Sequence, residues 1–233
     1  MGVDRMTNLL KQTPWDKRTF KIETYELISS HEEALKESDK YEGHFTLKVD
    51  PLENPKKIIE HGFYYMDSLI EPVCKKEDFR FVEREGIEIS QDYNKKEILK
   101  IAEEAFIHGR FHRDFHVPNK LADIRYMRWV EDLMEENNLF SLLFDGEIAG
   151  FYGFKKDKVL LLGIKKEFQG KGLAKPFTSM GCQKQFENGF STLFTSISAA
   201  NVASLNLFYS LGFKLKKTLD VYHKLNGPAP EGV

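Results

Sequence analysis

The segment Lys158–Ala174, KVLLLGIKKEFQGKGLA, joins a strand-like apolar run to the start of a helix through a loop with two glycines. The apolar run ends near Ile164, and the periodicity predicts a helix over 172–187. Gly170 and Gly172 let the backbone approach a ligand closely, and the helix start adds unpaired N–H groups at the positive end of its dipole. A pyrophosphate fits such a concavity, although a plain strand-to-helix turn is the alternative for a glycine pair taken alone.

Positive charge surrounds this loop in a chain that is slightly acidic overall. The cluster consists of Lys165, Lys166, Lys171 and Lys175. The loop is not a dinucleotide-binding fingerprint, because Lys175 stands at the third glycine position. It is not a P-loop either, because Gly172 follows the Gly-Lys pair where that motif has Ser or Thr.

A second motif, NVASLNLFYSLGF at 201–213, directly follows another predicted strand. With this motif the chain resembles the GNAT acyltransferase superfamily. After its fourth strand, this superfamily carries Arg or Gln, two residues, Gly, one residue, and then Gly or Ala. After its fifth strand it carries an Asn, a small residue three positions on, and a Gly-Phe pair. The matching residues are Gln169, Gly172 and Ala174 in the first motif and Asn201, Ser204, Gly212 and Phe213 in the second.

The resemblance covers roughly 87–225 and implies a fold. It is an α/β (α+β) fold with a mixed, mostly antiparallel central sheet flanked by helices, preceded by a smaller degenerate α/β half-domain. The sequence places a small domain over 1–80, a transferase domain over 81–226 and a disordered tail over 227–233, with the linker near 75–84.

The resemblance also implies acetyl-CoA as the cofactor. Residues 162–164 would splay from the next strand and bond the pantetheine arm, with a backbone N–H near Gly163 as the oxyanion donor. The amides of Gly170, Gly172 and Ala174 would hold the pyrophosphate. The predicted cofactor contacts are Leu162, Ile164, Gln169, Gly170, Lys171, Gly172, Leu173, Ala174, Asn201, Ser204 and Phe208.

The chain departs from its relatives at the position of the residue that donates a proton to the leaving thiolate. Many relatives have a tyrosine four residues before the Gly of the Gly-Phe pair, a slot that holds Phe208 in this chain. Tyr209 is one residue away, which is a rotation of about 100° on a helix. Tyr209 is the predicted acid. The alternatives are that Tyr209 packs against the sheet, that Tyr222 is the acid, or that the thiolate leaves without protonation. The base that deprotonates the acceptor amine could be His112, Asp114 or a water.

Shorter motifs give a narrower resemblance, to bacterial transferases that acetylate TDP-fucosamine and related sugars. These motifs are PWD at 14–16, HGFY at 61–64 and GRFH at 109–112, although Lys17 stands where that group has Ser. The resemblance implies a nucleotide-linked amino sugar as acceptor. The predicted substrate residues are Arg110, His112, Asp114, Tyr126 and Trp129. Helix capping by Arg110, a solvated loop position for His112 and core packing of the aromatic pair stay open as alternatives.

Composition excludes several other classes of protein. The 233 residues carry a net charge of -2, so no global basic field exists to hold a nucleic acid. Cys74 and Cys182 lie far apart and predict neither a disulfide nor a zinc site. His108, His112 and His116 recur at every fourth position, but Gly109 and Pro118 beside them favour a loop, so no metal site is predicted.

The sequence shows no signal-peptide core and no bilayer-length apolar run, so we expect a cytoplasmic protein with no membrane partner. A homodimer stays open. Two other functions also remain: transfer to a protein or small-molecule amine, and a regulatory acyl-CoA-binding module without turnover.

Overall fold

The computed structural model describes residues 9–106 and 109–232. Ile107 and His108, the first of the three spaced histidines, lie outside the described residues. The strands are β1 (Leu10–Gln12), β2 (Thr24–Leu27), β3 (Gly43–Val49), β4 (Tyr64–Lys75), β5 (Ile87–Ser90), β6 (Leu139–Phe144), β7 (Glu147–Lys155), β8 (Lys158–Ile164), β9 (Thr192–Phe194), β10 (Ile197–Ser198) and β11 (Lys214–Asn226). The helices are α1 (Pro14–Phe20), α2 (Glu32–Ser38), α3 (Lys56–Glu60), α4 (Lys95–Ala105), α5 (Arg110–Arg113), α6 (Asn119–Glu135), α7 (Ala174–Glu187) and α8 (Val202–Ser210).

The chain forms two compact units, and neither is a single continuous stretch. Unit 1 consists of the described residues of Met1–Leu69, His108–Arg125 and Thr218–Val233, and unit 2 consists of those of Ile70–Ile107 and Tyr126–Lys217. A boundary at residue 80 was predicted, whereas unit 1 takes in two later segments. Residues 227–232 form no helix or strand, and Pro230 among them is buried.

Unit 1 is built on a mixed sheet in the order β1, β2, β3, β11, β4. The pair β2–β3 is parallel, whereas β1–β2 and β3–β11 are antiparallel, with Asp220 opposite Val49 and Asn226 opposite Gly43. One apolar cluster in this unit includes Phe45, Leu47 and Tyr222.

Unit 2 contains the strand order β4, β9, β8, β7, β6, β5, and β10 pairs with β4. The pairs β4–β9, β7–β8, β6–β7 and β5–β6 are antiparallel, whereas β8–β9 is parallel. The pair Asp145-Gly146 between two apolar runs predicts a hairpin, and the structure confirms it: both residues have positive φ, 51° and 81°, as a tight two-residue turn between antiparallel strands requires.

Helix α7 packs against the sheet of unit 2. A Cβ on Gly181 would lie 2.6 Å from the Tyr152 ring, so only glycine permits this approach. The Tyr152 hydroxyl, fully buried, donates to Gln185 Oε1 at 2.6 Å. This contact fixes the helix that follows the glycine loop.

The structure differs from the sequence prediction at two places in the chain. The predicted loop at 109–120 contains the short helix α5, with Phe111 in an apolar cluster of unit 1. The strand predicted over 191–199 is broken into β9 and β10.

Cys74 and Cys182 are buried free thiols, which confirms the absence of a disulfide between them. Of the helices within 9–106 and 109–232, none has both the length and the hydropathy of a bilayer-spanning segment.

Candidate active site

The strands β8 and β9 of unit 2 run side by side only at one end. Their parallel pairing has the single register position Lys158 to Phe194. Beyond it β9 ends, and the chain turns toward β4, where the Thr195 N–H donates to the Pro72 carbonyl at 3.1 Å. The stretch 162–164 on β8 is therefore paired with β7 on one side, while its other edge opens away from β9 within the described part of the chain.

The register on the β7 side shows which backbone groups face this opening. Lys165 N–H donates to the Ala149 carbonyl at 2.9 Å, which makes these two residues a hydrogen-bonded pair. Because such pairs alternate along an antiparallel ladder, Gly163 opposite Phe151 is hydrogen-bonded too. The backbone groups of Leu162 and Ile164 then point to the open edge.

This register corrects the predicted role of Gly163. Its N–H belongs to the β7 ladder and does not face the opening, so an oxyanion donor would come from Leu162 or Ile164. Gly163 has a packing reason instead, because a Cβ there would lie 2.3 Å from the Phe151 ring. The Ile164 carbonyl accepts a 2.9 Å hydrogen bond from Gln169 Nε2, which ties the glycine loop to the strand end.

The glycine loop has the backbone conformation that its sequence predicts. Gly170 and Gly172 have φ of 75° and 72°, in the left-handed region that favours glycine. The helix begins at Ala174, two residues later than predicted, and Pro176 in its first turn has no N–H to satisfy. Among the described residues, none of the N–H groups from 170 to 175 donates to a backbone carbonyl. The loop thus presents a row of free donors beside a helix start.

The lysines near the loop differ in their partners. Lys165 pairs with Glu167 at 2.7 Å and Glu97 at 3.3 Å, and the hydrogen bond to Glu167 raises its pKa. Lys171 has no carboxylate partner among the residues that the structure describes, and its Nζ lies 4.8 Å from the centre of the Phe168 ring. Lys171 therefore keeps an unpaired positive charge beside the loop.

Helix α8 carries the second motif. Asn201 caps it, with Oδ1 accepting from the Ser204 N–H at 3.1 Å. Phe208 is 5% exposed and packs edge-on against Phe213, so its side chain belongs to the core and not to a cofactor surface. Tyr209 is 65% exposed, so the packing alternative for it is wrong. Tyr222 is buried in the core of unit 1.

The predicted aromatic pair on α6 packs within unit 2. Tyr126 stacks on Phe106 at a 4.6 Å centroid distance, and Trp129 lies 6.3 Å from Tyr126. Both are partly buried against an apolar cluster. This packing favours the core alternative, and a sugar-binding role for the pair stays a prediction.

Asp114, predicted as a substrate or base residue, is the centre of a buried network in unit 1. Its Oδ2 lies 2.7 Å from His223 Nδ1 and 3.0 Å from His44 Nε2, and Oδ1 accepts from the Tyr64 hydroxyl and the His116 N–H, both at 3.0 Å. Burial would raise the pKa of Asp114, but the hydrogen bonds from His223 and His44 outweigh it and hold that pKa well below its usual range. These contacts favour a structural role over a base.

The partners of Asp114 have shifted pKa values of their own. Burial lowers the pKa of His223 to about 3, although the hydrogen bond with Asp114 acts in the other direction. Burial and the Asp114 charge raise the pKa of Tyr64 well above its usual range. The network therefore combines an ionised carboxylate with a neutral imidazole.

Other motif residues of unit 1 also contact one another. Asp16 accepts from Arg125 Nε at 2.5 Å, and the Arg125 guanidinium lies 4.5 Å from the centre of the Phe111 ring. His112 Nε2 lies 2.9 Å from Asp123 Oδ1, and Arg110 lies over the Phe111 ring at 4.8 Å. Residues of the PWD and GRFH motifs thus make contacts within unit 1.

Sequence reasoning missed His44, His223 and Tyr64 at this network and Arg84 at the glycine loop. Asp114 lies 70 residues from His44 and 109 residues from His223, so no spacing rule could join them. Arg84 donates from Nη1 to the Lys171 carbonyl at 2.7 Å from a position 87 residues away. Arg84 lies in the linker predicted near 75–84, and that segment carried no signal of this contact.

The splayed strands, the glycine loop and the capped α8 define the class of protein. Residues 95–213 match the acetyltransferase (GNAT) family, and the chain belongs to this family. The expected α/β fold with a mixed sheet flanked by helices is confirmed, whereas the preceding half-domain stays a prediction.

Two curated relatives are mycothiol acetyltransferases. The one from Streptomyces avermitilis is 31% identical and the one from Streptomyces coelicolor 32% identical, each over 80 residues. The match spans 32% of this chain and 26% of each relative, about a quarter of their length.

Solved structures show the same fold at low identity. A GNAT-family protein from Novosphingobium aromaticivorans has a TM-score of 0.58 at 13% identity, covering 97% of this chain and 92% of that one. A Drosophila protein has a TM-score of 0.62 at 14% identity, covering 88% and 71%.

Proposed function

We propose that this chain is an acetyl-CoA-dependent N-acetyltransferase. The observation that carries the proposal is the opening between β8 and β9, which leaves the backbone groups of Leu162 and Ile164 facing outward next to a loop of free N–H donors. An extended amide-bearing arm can add to an exposed strand edge, and a pyrophosphate suits a glycine loop at a helix start. One ligand that carries both groups fits the two features together.

The proposal assigns a task to each element. The outward-facing backbone groups of Leu162 and Ile164 hold the pantetheine arm. The amides of Gly170, Gly172 and Ala174 hold the pyrophosphate. The bound cofactor supplies the activated acetyl group. An outward N–H of β8 donates to the acetyl carbonyl oxygen, which lowers the barrier when charge develops there.

The remaining steps concern protons. An ammonium has no lone pair, so the acceptor amine must lose a proton before it attacks. His112, held by Asp123, and a water chain are the candidate bases. Tyr209 is the candidate acid for the departing sulfur, and its exposed hydroxyl is free of core packing.

For the acceptor we propose the amino group of a nucleotide-linked 4-amino-4,6-dideoxy sugar. The support is the set of short motifs at 14–16, 61–64 and 109–112. Arg110 is the proposed anchor for the diphosphate of the nucleotide, because a guanidinium matches two phosphate oxygens at once.

The test measures release of free CoA thiol from acetyl-CoA with a panel of acceptors. The panel holds TDP- and UDP-linked 4-amino-4,6-dideoxy sugars, glucosamine, a polyamine and a peptide with a free N-terminus. We expect turnover with a nucleotide-linked amino sugar and none without acceptor. Turnover on the peptide or polyamine alone would refute the acceptor assignment. Tight acetyl-CoA binding without turnover on any amine would indicate a regulatory module and refute the enzymatic proposal.

A further inference from the structure

Arg84 lies far from the glycine loop in sequence but contacts it in unit 2. It belongs to the segment that precedes β5, outside both motifs described above. Its Nη1 donates to the Lys171 carbonyl at 2.7 Å. This hydrogen bond uses one of the five guanidinium N–H groups. The Lys171 carbonyl thereby holds the planar, fork-shaped guanidinium at the loop.

The guanidinium lies on the side-chain face of Gly172. A Cβ built on Gly172 would be 3.7 Å from Nη1 of Arg84. A Cβ on Gly170 would meet nothing within 4 Å, so the other glycine of the loop borders open space. The charged group therefore stands beside the row of free N–H donors at 170–175.

Two aromatic rings hold the cations of this loop in place. The Arg84 guanidinium lies 5.1 Å from the centre of the Phe144 ring, and Lys171 Nζ lies 4.8 Å from that of Phe168. The two rings themselves meet edge to face at 6.3 Å. Aromatic faces attract cations without neutralising them, so both charges remain available.

Carboxylates neutralise only part of the positive charge at the loop. Lys165 nearby is paired with two glutamates, whereas neither Arg84 nor Lys171 forms an ion pair with a carboxylate among the described residues. Two oriented cations and a row of free N–H groups converge on one loop. An anion with several oxygens supplies the missing partner.

We propose that Arg84 binds the diphosphate of the acyl-CoA, with Lys171 as the second cation. The inference rests on the proposed function and names a residue outside the family motif. The diphosphate offers oxygens to the loop amides on one side and to the guanidinium fork on the other. Because the fork is planar and bidentate, lysine is a poor substitute at this position.

The test is calorimetric binding of three ligands to the full chain: acetyl-CoA, acetyl-dephospho-CoA and S-acetylpantetheine, which lacks the diphosphate. Arg84→Gln removes the charge and keeps polar bulk, and Arg84→Lys keeps the charge without the fork. Lys158→Gln is the matched control, because it removes an exposed positive charge from the opposite end of β8. Thermal melting of every variant checks that the fold is intact.

We expect Arg84→Gln to weaken acetyl-CoA and acetyl-dephospho-CoA binding by the same factor, at least ~10-fold, since hydrogen bonds to charged groups are worth that much. S-acetylpantetheine binding should be unchanged, Arg84→Lys should recover only part of the loss, and Lys158→Gln should bind as wild type. The salt dependence of acetyl-CoA binding should become shallower in Arg84→Gln, which a purely structural role would not cause.

Three results would overturn the inference. Unchanged acetyl-CoA binding in Arg84→Gln would leave the proposed function standing without this residue. A loss confined to acetyl-CoA would assign Arg84 to the 3′-phosphate. An equal loss for all three ligands would make Arg84 only a support of the loop. Failure of the wild-type chain to bind acetyl-CoA would instead refute the proposed function itself.

Discussion

Nδ1 of His223 lies 2.7 Å from Oδ2 of Asp114, and both side chains are fully buried. Because an ionised carboxylate can only accept, the imidazole carries its proton on Nδ1. Its Nε2 is then an acceptor, and it has no hydrogen-bond partner among the described residues. The contact thus fixes one tautomer of a neutral histidine inside unit 1.

The first prediction concerns Asp114→Asn. The amide cannot accept four hydrogen bonds and brings an N–H toward groups that already donate, so buried donors lose their partner. We expect the free energy of unfolding to fall by about 2–5 kcal/mol, the usual range for breaking a buried charged network. Urea denaturation measures the loss. Glu136→Gln, which removes a surface carboxylate paired with Lys155, should change stability by less than ~1 kcal/mol, and equal losses in both variants would contradict a special role for the network.

The second prediction is a loss of stability at mildly acidic pH. The folded pKa of His223 is lowered to about 3 from 6.5, so between these values the unfolded chain binds more protons than the folded one. Stability is then complete above pH ~6.5 and falls as the pH drops toward 3, by at most about 1.4 kcal/mol per pH unit for one group. Asp114, whose folded pKa is also lowered, adds a loss below pH ~4. His44, Tyr64, Arg110 and the backbone N–H of His116 also act on the pair.

Unfolding curves between pH 7.5 and 4.5 would measure this effect. His223→Gln should show a flatter dependence than wild type. A wild-type curve without slope in this range would show that His223 is not held neutral.

The third prediction separates backbone strain from ligand binding at the glycine loop. Gly172→Val places a β-branched side chain at φ 72° and next to Arg84, in the space assigned to the pyrophosphate. We expect acetyl-CoA binding to be lost in calorimetry. Gly189→Val carries the same kind of strain at φ 99° with open space around it, after the end of α7. Its binding should be intact although both variants lose about 1–2 kcal/mol of stability, and a shared loss of binding would remove the support for the loop assignment.

The fourth prediction tests the proton donor. Tyr209→Phe should lower kcat at least ~10-fold with little change in either KM, because proton donation acts only in the transition state. Steady-state kinetics with the acceptor found in the panel measure it. Tyr93→Phe, a partly buried tyrosine beside α4, is the control and should keep its activity. An unchanged kcat in Tyr209→Phe would leave thiolate departure without protonation as the simpler account.

Local patterns predicted those parts of the fold whose signals are contained in a few neighbouring residues. The Asp145-Gly146 hairpin and the positive φ of Gly170 and Gly172 follow from residues within one turn of each other. The strands β1 and β2 are only 3 and 4 residues long, too short to show an alternating pattern, and sequence reasoning missed them.

The site could be predicted only where a motif carries it. Gln169 and Asn201 lie in motifs, and their positions at the loop and at the α8 cap follow from the sequence. The direction of the Gly163 amide depends on the β7–β8 register, which no single strand reveals. The buried environment of Asp114 depends on His44 and His223, which reach it from β3 and β11. Long-range pairing therefore decides which groups face a ligand and which face the core.

The segmented make-up of unit 1 has a consequence for how the chain matures. Phe45 and Leu47 on β3 are translated well before their partners Lys224 and Tyr222 on β11. Until β11 emerges from the ribosome, β3 has an unpaired edge on this side. Loss of β11, for example through a stop codon that precedes it, would therefore leave β3 unpaired and destabilise a part of unit 1 that was made much earlier.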